Sequence, residues 1–164
     1  MAKAKINGEV VAEASTLAVI TLLPERAPML LSAFTAVRLP WPVLADIEVA
    51  WSDLTRAPGW SHSVKYDAER DALVIRPISL PQHQYLYRRI IEIDKVARNL
   101  VIIDLAETGS SSDAHQAWLA AIDLAAEQQL PLWSDDVAIR STAARKGVAV
   151  FGTWALPHAV PSWC

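Results

Sequence analysis

Short β-prone runs and helical repeats alternate along the start of the chain. Residues 9–12 form a β-prone run, and an apolar helical stretch follows over residues 16–23, where Pro24 ends it. Residues 29–34 predict a second short helix, and residues 36–39 predict a second strand. The pattern therefore opens as strand, two short helices and strand.

Two amphipathic helices follow, separated by a more polar segment. In residues 42–54 the apolar side chains recur with a helical period, and Asp46 lies off that face or at its edge. Residues 55–71 are rich in Pro, Gly, Ser and charge, which predicts a loop with room for a hairpin arm, and residues 72–75 predict a strand. Residues 81–98 predict a long amphipathic helix.

Strand and helix alternate regularly through the second half. Residues 100–103 give the strongest strand signal, and their continuous apolar character predicts a strand buried on both faces of a parallel sheet. The pattern then predicts a helix over 113–128, a strand over 130–133, a helix over 136–146 closed by Gly147, and a last strand over 148–151. This order favours an α/β fold in three layers, α/β/α, with a mostly parallel central sheet. No repeat or composition shift divides it, so residues 1–164 are interpreted as a single domain.

Composition narrows the class of protein. Apolar residues make up 52% of the chain and charged residues 20%, which excludes a disordered protein. No apolar run is long enough to span a membrane, and Glu9 and Glu13 interrupt any signal core, so we expect no membrane association and a cytoplasmic location. Cys164 is the single cysteine, which excludes an internal disulfide framework and a cysteine-based zinc site.

The charge balance bears on nucleic-acid binding. The net charge is −3, so the chain as a whole lacks the basic character of most nucleic-acid-binding proteins. Any such affinity would come from a local patch or from bound metal. The most basic local feature is Arg88-Arg89 with Lys95 and Arg98, which is interpreted as a solvated helix face with the alternative of a phosphate contact.

Carboxylates follow three of the predicted strands. Glu13 ends the first strand with Ser15 just after it, Asp104 ends the strand at 100–103, and residues 134–136 (Ser-Asp-Asp) end the strand at 130–133. Ligands of open parallel sheets bind outside the carboxyl ends of the strands, so these side chains are expected at one edge. Clustered carboxylates raise one another's pKa or hold a divalent cation, and oxygen-only ligands suit Mg²⁺ or Mn²⁺.

Structural alternatives stay open for these acids. Residues 134–136 could form a helix N-cap with acids in the first turn, and Asp104 could form a turn before Gly109. A lone buried carboxylate is costly, which favours a functional role for Glu13. The chain contains no GxxxxGK[ST], GxGxxG, GxSxG or HExxH motif.

Four segments, in order, resemble the PIN-domain family of metal-dependent ribonucleases. Residues 10–17 are similar to its opening strand with an acid, a small residue and Ser or Thr. Residues 39–47 are similar to its second motif, a strand, a Pro-containing link and a helix carrying an acid, here Asp46. Residues 130–140 resemble the strand that runs into Thr/Ser-x-Asp, here Ser134 and Asp136, and residues 144–153 resemble the end of the fold.

The resemblance implies an acidic metal site with departures. Glu13 stands where the family usually has Asp, and Asp46 where it usually has Glu. The family's third acid falls on Trp118 in a gapless alignment, with Asp113 as the replacement. The implied site therefore comprises Glu13, Asp46, Asp113 and Asp136 as catalytic residues, with Asp135 as a further ligand. Ser15, Ser134 and Asp104 support them, and Mg²⁺ or Mn²⁺ is the cofactor.

The resemblance implies cleavage of single-stranded RNA by that site. Two alternatives stay open: a PIN-like binding or assembly module without catalysis, including an antitoxin or other protein partner, and a Rossmann-like small-ligand binder. A homodimer is also expected. The seven tryptophans are interpreted mainly as core or dimer packing, and His62, His83, His115 and His158 as surface residues. The ending, with Pro157 and Pro161 where an apolar helix is expected, is interpreted as truncated or altered.

Overall fold

The computed structural model describes residues 8–56, 62–104 and 116–156. The strands in these ranges are β1 (Glu9–Ala12), β2 (Ala36–Pro40), β3 (His62–Asp67), β4 (Ala72–Pro77), β5 (Val101–Ile103), β6 (Leu132–Trp133) and β7 (Val150–Phe151). The helices are α1 (Ala14–Ile20), α2 (Ala27–Ser32), α3 (Trp41–Arg56), α4 (Leu80–Ala97), α5 (Ala117–Glu127) and α6 (Val137–Arg145), followed by a 3-10 turn at Thr153–Ala155.

The predicted α/β/α sandwich is confirmed. Five strands form a parallel sheet in the order β5-β2-β1-β6-β7, with helices packed against it. The chain builds outward from β1 through β2 to β5, then returns to add β6 and β7 on the other side. The order reverses between β1 and β6, and such a switch point is where open α/β sheets form their ligand crevice.

The central strand β1 is apolar on both faces, as a strand covered by two helix layers must be. Val10 and Ala12 point to one side and pack with Ile20 of α1 and Leu30 of α2. Val11 points to the other side and packs with residues of α5. All three β1 side chains are fully buried. Burying a valine of this kind contributes about 1.5–3 kcal/mol, so β1 anchors both layers.

An aromatic cluster fixes β6 and β7 to the α2 side of the sheet. Trp133 is fully buried, with its ring centroid 5.3 Å from that of Phe34 and 5.9 Å from that of Phe151. Its indole Nε1 donates a hydrogen bond of 3.1 Å to Thr153 Oγ1. Trp133 is a core residue, as the interpretation of most tryptophans as packing residues allows, whereas the other tryptophans of the described residues are exposed: Trp41, Trp51, Trp118 and, at 79%, Trp154.

Two local features mark helix ends, and the second of them, the closure of α6 by Gly147, was predicted. Ser79 caps α4 through a capping box with Gln82, and Pro81 lies in the first turn. Gly147 follows α6 with φ of +79°, the left-handed conformation that a glycine adopts most readily. One surface prediction for this region is wrong. His83 is buried rather than on the surface. Its Nε2 lies 2.9 Å from the carbonyl oxygen of Leu54, at the end of α3.

The strand at residues 101–103 differs from its prediction. β5 lies at one end of the strand order, and Val101 is 48% exposed rather than buried on both faces. The apolar run is nevertheless a strand, paired in parallel with β2. The polar segment between α3 and α4 does contain a hairpin, formed by β3 and β4.

None of the helices in the described ranges is both long enough and apolar enough to span a membrane.

Candidate functional site

The candidate site lies where β1 and β6 end side by side, at the switch point of the sheet. Glu13 follows β1 and is the N-cap of α1, and Asp136 follows β6 and is the N-cap of α6. Parallel pairing of the two strands brings both junctions to one edge. The structure therefore places Glu13 and residues 134–136 together, as the strand-end pattern predicts.

Glu13 is buried but is not a lone carboxylate. Its side chain is only 2% exposed, and Oε2 accepts a hydrogen bond of 2.8 Å from the Ser15 amide. Oε1 accepts from the Thr16 amide at 3.3 Å and from the Ser15 hydroxyl. These donors offset the cost of removing the carboxylate from water and satisfy two orphan amides of α1. A structural account of the burial of Glu13 thus exists beside the functional one.

The Ser15 hydroxyl joins the two junctions. It donates to Glu13 and accepts hydrogen bonds of 3.0 Å from the amides of both Asp135 and Asp136. A hydroxyl has one donor and two acceptor positions, so all three are used. The neighbouring Thr16 hydroxyl adds a second link, a 2.6 Å hydrogen bond to the carbonyl oxygen of Trp133. Ser15 therefore contacts the Glu13 carboxylate and the backbone amides of Asp135 and Asp136.

Asp136 presents a carboxylate that is only partly engaged. Its Oδ1 accepts from the amides of Ala138 and Ile139 at 2.7 and 3.1 Å, the expected bonds of an N-cap. The described hydrogen bonds reach Oδ1 alone, and the residue is exposed. Ser134 is fully buried, with its hydroxyl 3.2 Å from the Asp136 amide, so it shapes the turn. The N-cap alternative is confirmed for Asp136.

Asp135 turns away from Glu13 toward the chain after β7. Its two carboxylate oxygens accept from the amide and the hydroxyl of Thr153, at 2.8 and 2.5 Å. Sequence reasoning missed Thr153 as this partner, because no local pattern links residues 18 positions apart. Asp135 therefore has a structural role in tying β7 to the site.

A cleft of about 410 Å³ opens beside Asp135. Its lining comprises Val19, Asp135, Arg140, Gly152, Trp154 and Ala155. The Arg140 guanidinium is held there by a 2.8 Å hydrogen bond to the carbonyl oxygen of Ser134. Gly152 leaves the cleft room, because a Cβ there would lie 3.0 Å from both Arg140 Nη1 and Asp135 Oδ1. The Arg140 guanidinium and the exposed indole of Trp154 thus lie next to the acidic junction.

The other predicted acids lie elsewhere or outside the described ranges. Asp46 is exposed on α3, in the second turn of the helix. Asp104 follows β5, which is separated from β1 by β2, so two strand spacings of about 4.8 Å put it about 10 Å along the edge from Glu13. Asp113 falls outside the described residues.

Within the described residues, no three His, Cys, Asp or Glu side chains stand close enough to hold a metal ion together. Trp118, at the position of the family's third acid, lines a shallow depression of about 300 Å³ that also includes Asp136 and Thr142. An indole supplies no metal ligand. The acids that the structure does bring together are Glu13, Asp135 and Asp136.

Arg89 has a structural partner. The guanidinium donates to the carbonyl oxygens of Ala18 and Thr21 at 2.7 and 2.8 Å, at the C-terminal end of α1. The interpretation of Arg88-Arg89 as a wholly solvated face is therefore wrong for Arg89, which satisfies carbonyls that the helix leaves unpaired.

Comparisons with known proteins give no family. No family model and no curated protein matches the chain. Among solved structures, the chain is similar to a domain of a functionally unknown protein from Methanocaldococcus jannaschii DSM 2661, at 14% identity and a TM-score of 0.45. The match covers 88% of this chain and 90% of that one. A likeness at this level carries no functional argument.

Proposed function

We propose that the chain is a metal-dependent endoribonuclease of the PIN type, acting in the cytoplasm on single-stranded RNA. The observation that carries the proposal is the junction of Glu13 and Asp136, which lie at the switch point of a parallel sheet and are linked through Ser15. In metal-dependent phosphodiester hydrolysis, carboxylates hold the ion that activates the attacking water.

The oxygen donors at the junction suit a Mg²⁺ or Mn²⁺ ion that keeps several of its waters, rather than an ion enclosed by carboxylates. Magnesium in proteins keeps several waters and is bound through one or two carboxylates plus substrate phosphates. Asp136 would hold the ion through the oxygen that its N-cap bonds leave open, with Glu13 behind it. Carboxylates that bind metal are themselves hydrogen-bonded, and the amides and hydroxyls around Glu13 would serve in that way. When bound, the ion activates water and stabilises charge on the phosphate oxygens.

The cleft beside the junction supports RNA as the substrate class. Arg140 supplies a positive charge in a chain that is acidic overall, and Trp154 supplies an exposed aromatic face. Proteins bind single strands by stacking bases on such rings beside cations that track the backbone. Trp154 would stack one base, and Arg140 would contact the adjoining phosphate.

The test is cleavage of a labelled single-stranded RNA with and without Mn²⁺. We expect metal-dependent cleavage that Asp136→Asn reduces by at least about 100-fold. The variant should stay folded, because Asn is as good an N-cap as Asp. Asp53→Asn is the matched control, since Asp53 is an exposed acid of α3 away from the junction. Absence of metal-dependent cleavage, or equal activity in both variants, would contradict the proposal.

A second candidate is a PIN-like binding module that has lost catalysis. It is favoured by the three hydrogen bonds that engage Glu13 and by Trp118 at the position of the third acid. This candidate predicts no rise in melting temperature with Mn²⁺, because an ion that does not bind the native state cannot stabilise it. A rise in melting temperature with Mn²⁺ but no cleavage of RNA would support metal binding and contradict the ribonuclease activity. The protein partner of such a module, an antitoxin included, stays a prediction.

A further inference from the structure

Two depressions flank the N-terminal end of α6, one on each side of the helix. The cleft described above contains Arg140, and the shallow depression of about 300 Å³ contains Trp118 with Ala138, Ile139 and Thr142. Successive residues of a helix are about 100° apart around its axis. Arg140 therefore lies about 150° around α6 from the middle of the residues that border Trp118. The two depressions are on nearly opposite faces of the helix.

The acidic junction lies between these depressions. Asp136, as the N-cap, stands at the tip of α6 and borders the depression of Trp118. Asp135, which precedes it, borders the cleft on the other face. Each depression has an exposed indole in its wall, since Trp118 is 39% exposed and Trp154 is 79% exposed. An accessible aromatic ring is thus present on either side of the junction.

We propose that Trp118 stacks a second base of the RNA, on the other side of the scissile phosphate from the base on Trp154. The inference rests on the proposed function, in which the phosphate is held at Asp136 and one base stacks on Trp154. A phosphodiester inside a strand joins two nucleotides, so a second base lies beyond the phosphate. Across the tip of α6 from Trp154, the exposed ring that this base meets is Trp118. The single strand therefore crosses the tip of α6, and the bond that is cleaved lies inside the strand.

The lining of the Trp118 depression suits a flat, uncharged ring. Besides the indole it consists of apolar Ala138 and Ile139 and of Thr142, whose hydroxyl donates to the carbonyl oxygen of Ala138 at 2.9 Å. The described residues that line it include no cation, and Asp136 is an anion, so a phosphate is repelled there. A volume of about 300 Å³ is at the lower limit of small-ligand pockets, which fits one base.

Stacking on two indoles predicts a weak dependence of RNA binding on salt. For a single strand, each phosphate that a cation neutralises contributes about −0.7 to the slope of log K against log salt concentration. Among the described residues that line the two depressions, Arg140 is the only cation. We therefore expect a slope of about −0.7. A basic groove that tracks several phosphates would give a slope several times steeper.

Fluorescence anisotropy of a labelled, unstructured RNA in EDTA measures binding separately from cleavage. With a strand of about 12 nucleotides, Trp118→Ala should raise the dissociation constant at least about 5-fold, the loss expected for one stacked base. Trp118→Phe should keep most of the affinity, because a phenyl ring also stacks. Trp51→Ala is the matched control and should leave the affinity unchanged. Trp51 is 44% exposed, but it lies about 15 Å along α3 from the sheet edge.

Three results of this measurement would overturn the proposal. They are an unmodified chain that binds no RNA in EDTA, an unchanged affinity in Trp118→Ala, and an equal loss in Trp51→Ala. Unmodified protein gives a second measurement that needs no variant to fold. In strands that carry photoreactive bases, we expect crosslinks to Trp118 and to Trp154 at different nucleotides of the same RNA. Crosslinks confined to other surfaces would refute the second base site.

The second base site and the ribonuclease activity can fail separately. Cleavage of RNA with Mn²⁺, together with an affinity that Trp118→Ala leaves unchanged, would contradict the base site and support the ribonuclease. Binding that depends on Trp118, without cleavage in Mn²⁺, would support the base site and contradict the ribonuclease.

Discussion

At the scale of single residues, Ser15 does the most to hold the candidate site together. Its hydroxyl links Glu13 to the amides of Asp135 and Asp136, which lie 120 and 121 residues after Ser15 in the sequence. Few side-chain atoms can satisfy three groups from two separate segments. The Ser15 hydroxyl therefore holds the junction together with the Thr16 hydroxyl, which donates to the carbonyl oxygen of Trp133.

Replacing Ser15 by Ala should lower the free energy of unfolding by about 2 kcal/mol. The Asp135 amide would lose its acceptor, the Asp136 amide would keep only the Ser134 hydroxyl, and a buried carboxylate would lose a donor. Urea unfolding followed by circular dichroism measures the change. Ser141→Ala is the control. That hydroxyl is exposed and bonds only to the Val137 carbonyl oxygen one turn earlier, so its removal should change stability by less than about 0.5 kcal/mol. Equal losses in the two variants would show that the Ser15 link contributes nothing.

The sequence predicted which residues meet at the junction, but it could not give their roles. Glu13 attracts a functional interpretation because a lone buried carboxylate is costly, and the structure supplies three donors that change that cost. All three come from residues two and three positions later, and the two amides among them form a capping pattern usually made by shorter side chains. The partner of Asp135, Thr153, depends on how β7 docks, which no local pattern encodes.

At the scale of elements, α1 is a short helix stabilised from outside at both ends. Glu13 caps its first turn, and Arg89 of α4 donates to the carbonyl oxygens of Ala18 and Thr21 at its last turn. Isolated helices of seven residues do not persist in water. α1 therefore depends on these contacts and on the burial of Leu17 and Ile20.

Arg89→Ala should lower the free energy of unfolding by about 1–2 kcal/mol, since two charge-assisted hydrogen bonds to the end of α1 are lost from a partly exposed site. Chemical denaturation measures this loss. Arg88→Ala removes the same side chain from an exposed neighbouring position and should have little effect. If Arg88→Ala proves as destabilising, the helix-end contacts of Arg89 are not the cause.

Elements were predicted where periodicity is strong, and their environments were predicted less well. The apolar run at residues 100–103 correctly indicates a strand, but its position beside β2 at one end of the order leaves Val101 exposed. Strand order depends on pairing between distant segments, which an apolar run does not specify. The hairpin was predicted only as an arm within a loop, because the segment before residue 72 is rich in charge. Its exposed face is nevertheless apolar.

At the scale of the whole molecule, the protection of backbone amides from hydrogen exchange should fall steeply from the central sheet to the hairpin. β1 is paired on both sides, to β2 and β6, and its apolar side chains are fully buried. Hydrogen exchange by NMR should therefore find the slowest amides in β1. The amides of β3 and β4 should exchange much faster, because these strands form a separate two-stranded sheet whose residues are mostly exposed. Equal protection of the two regions would contradict this gradient.

The parallel sheet also constrains how the chain folds during synthesis. β1 is made before the other strands of the sheet, and β6, its neighbour at Val11 and Ala12, is made 121 residues later. At typical rates of translation that interval lasts on the order of ten seconds. Throughout it, one edge of the most apolar strand has no neighbour, and the two junctions cannot yet meet at Ser15. The nascent protein thus carries an unpaired apolar strand edge until β6 emerges, and a ribosome-bound chaperone that shields this edge would raise the yield of folded chains.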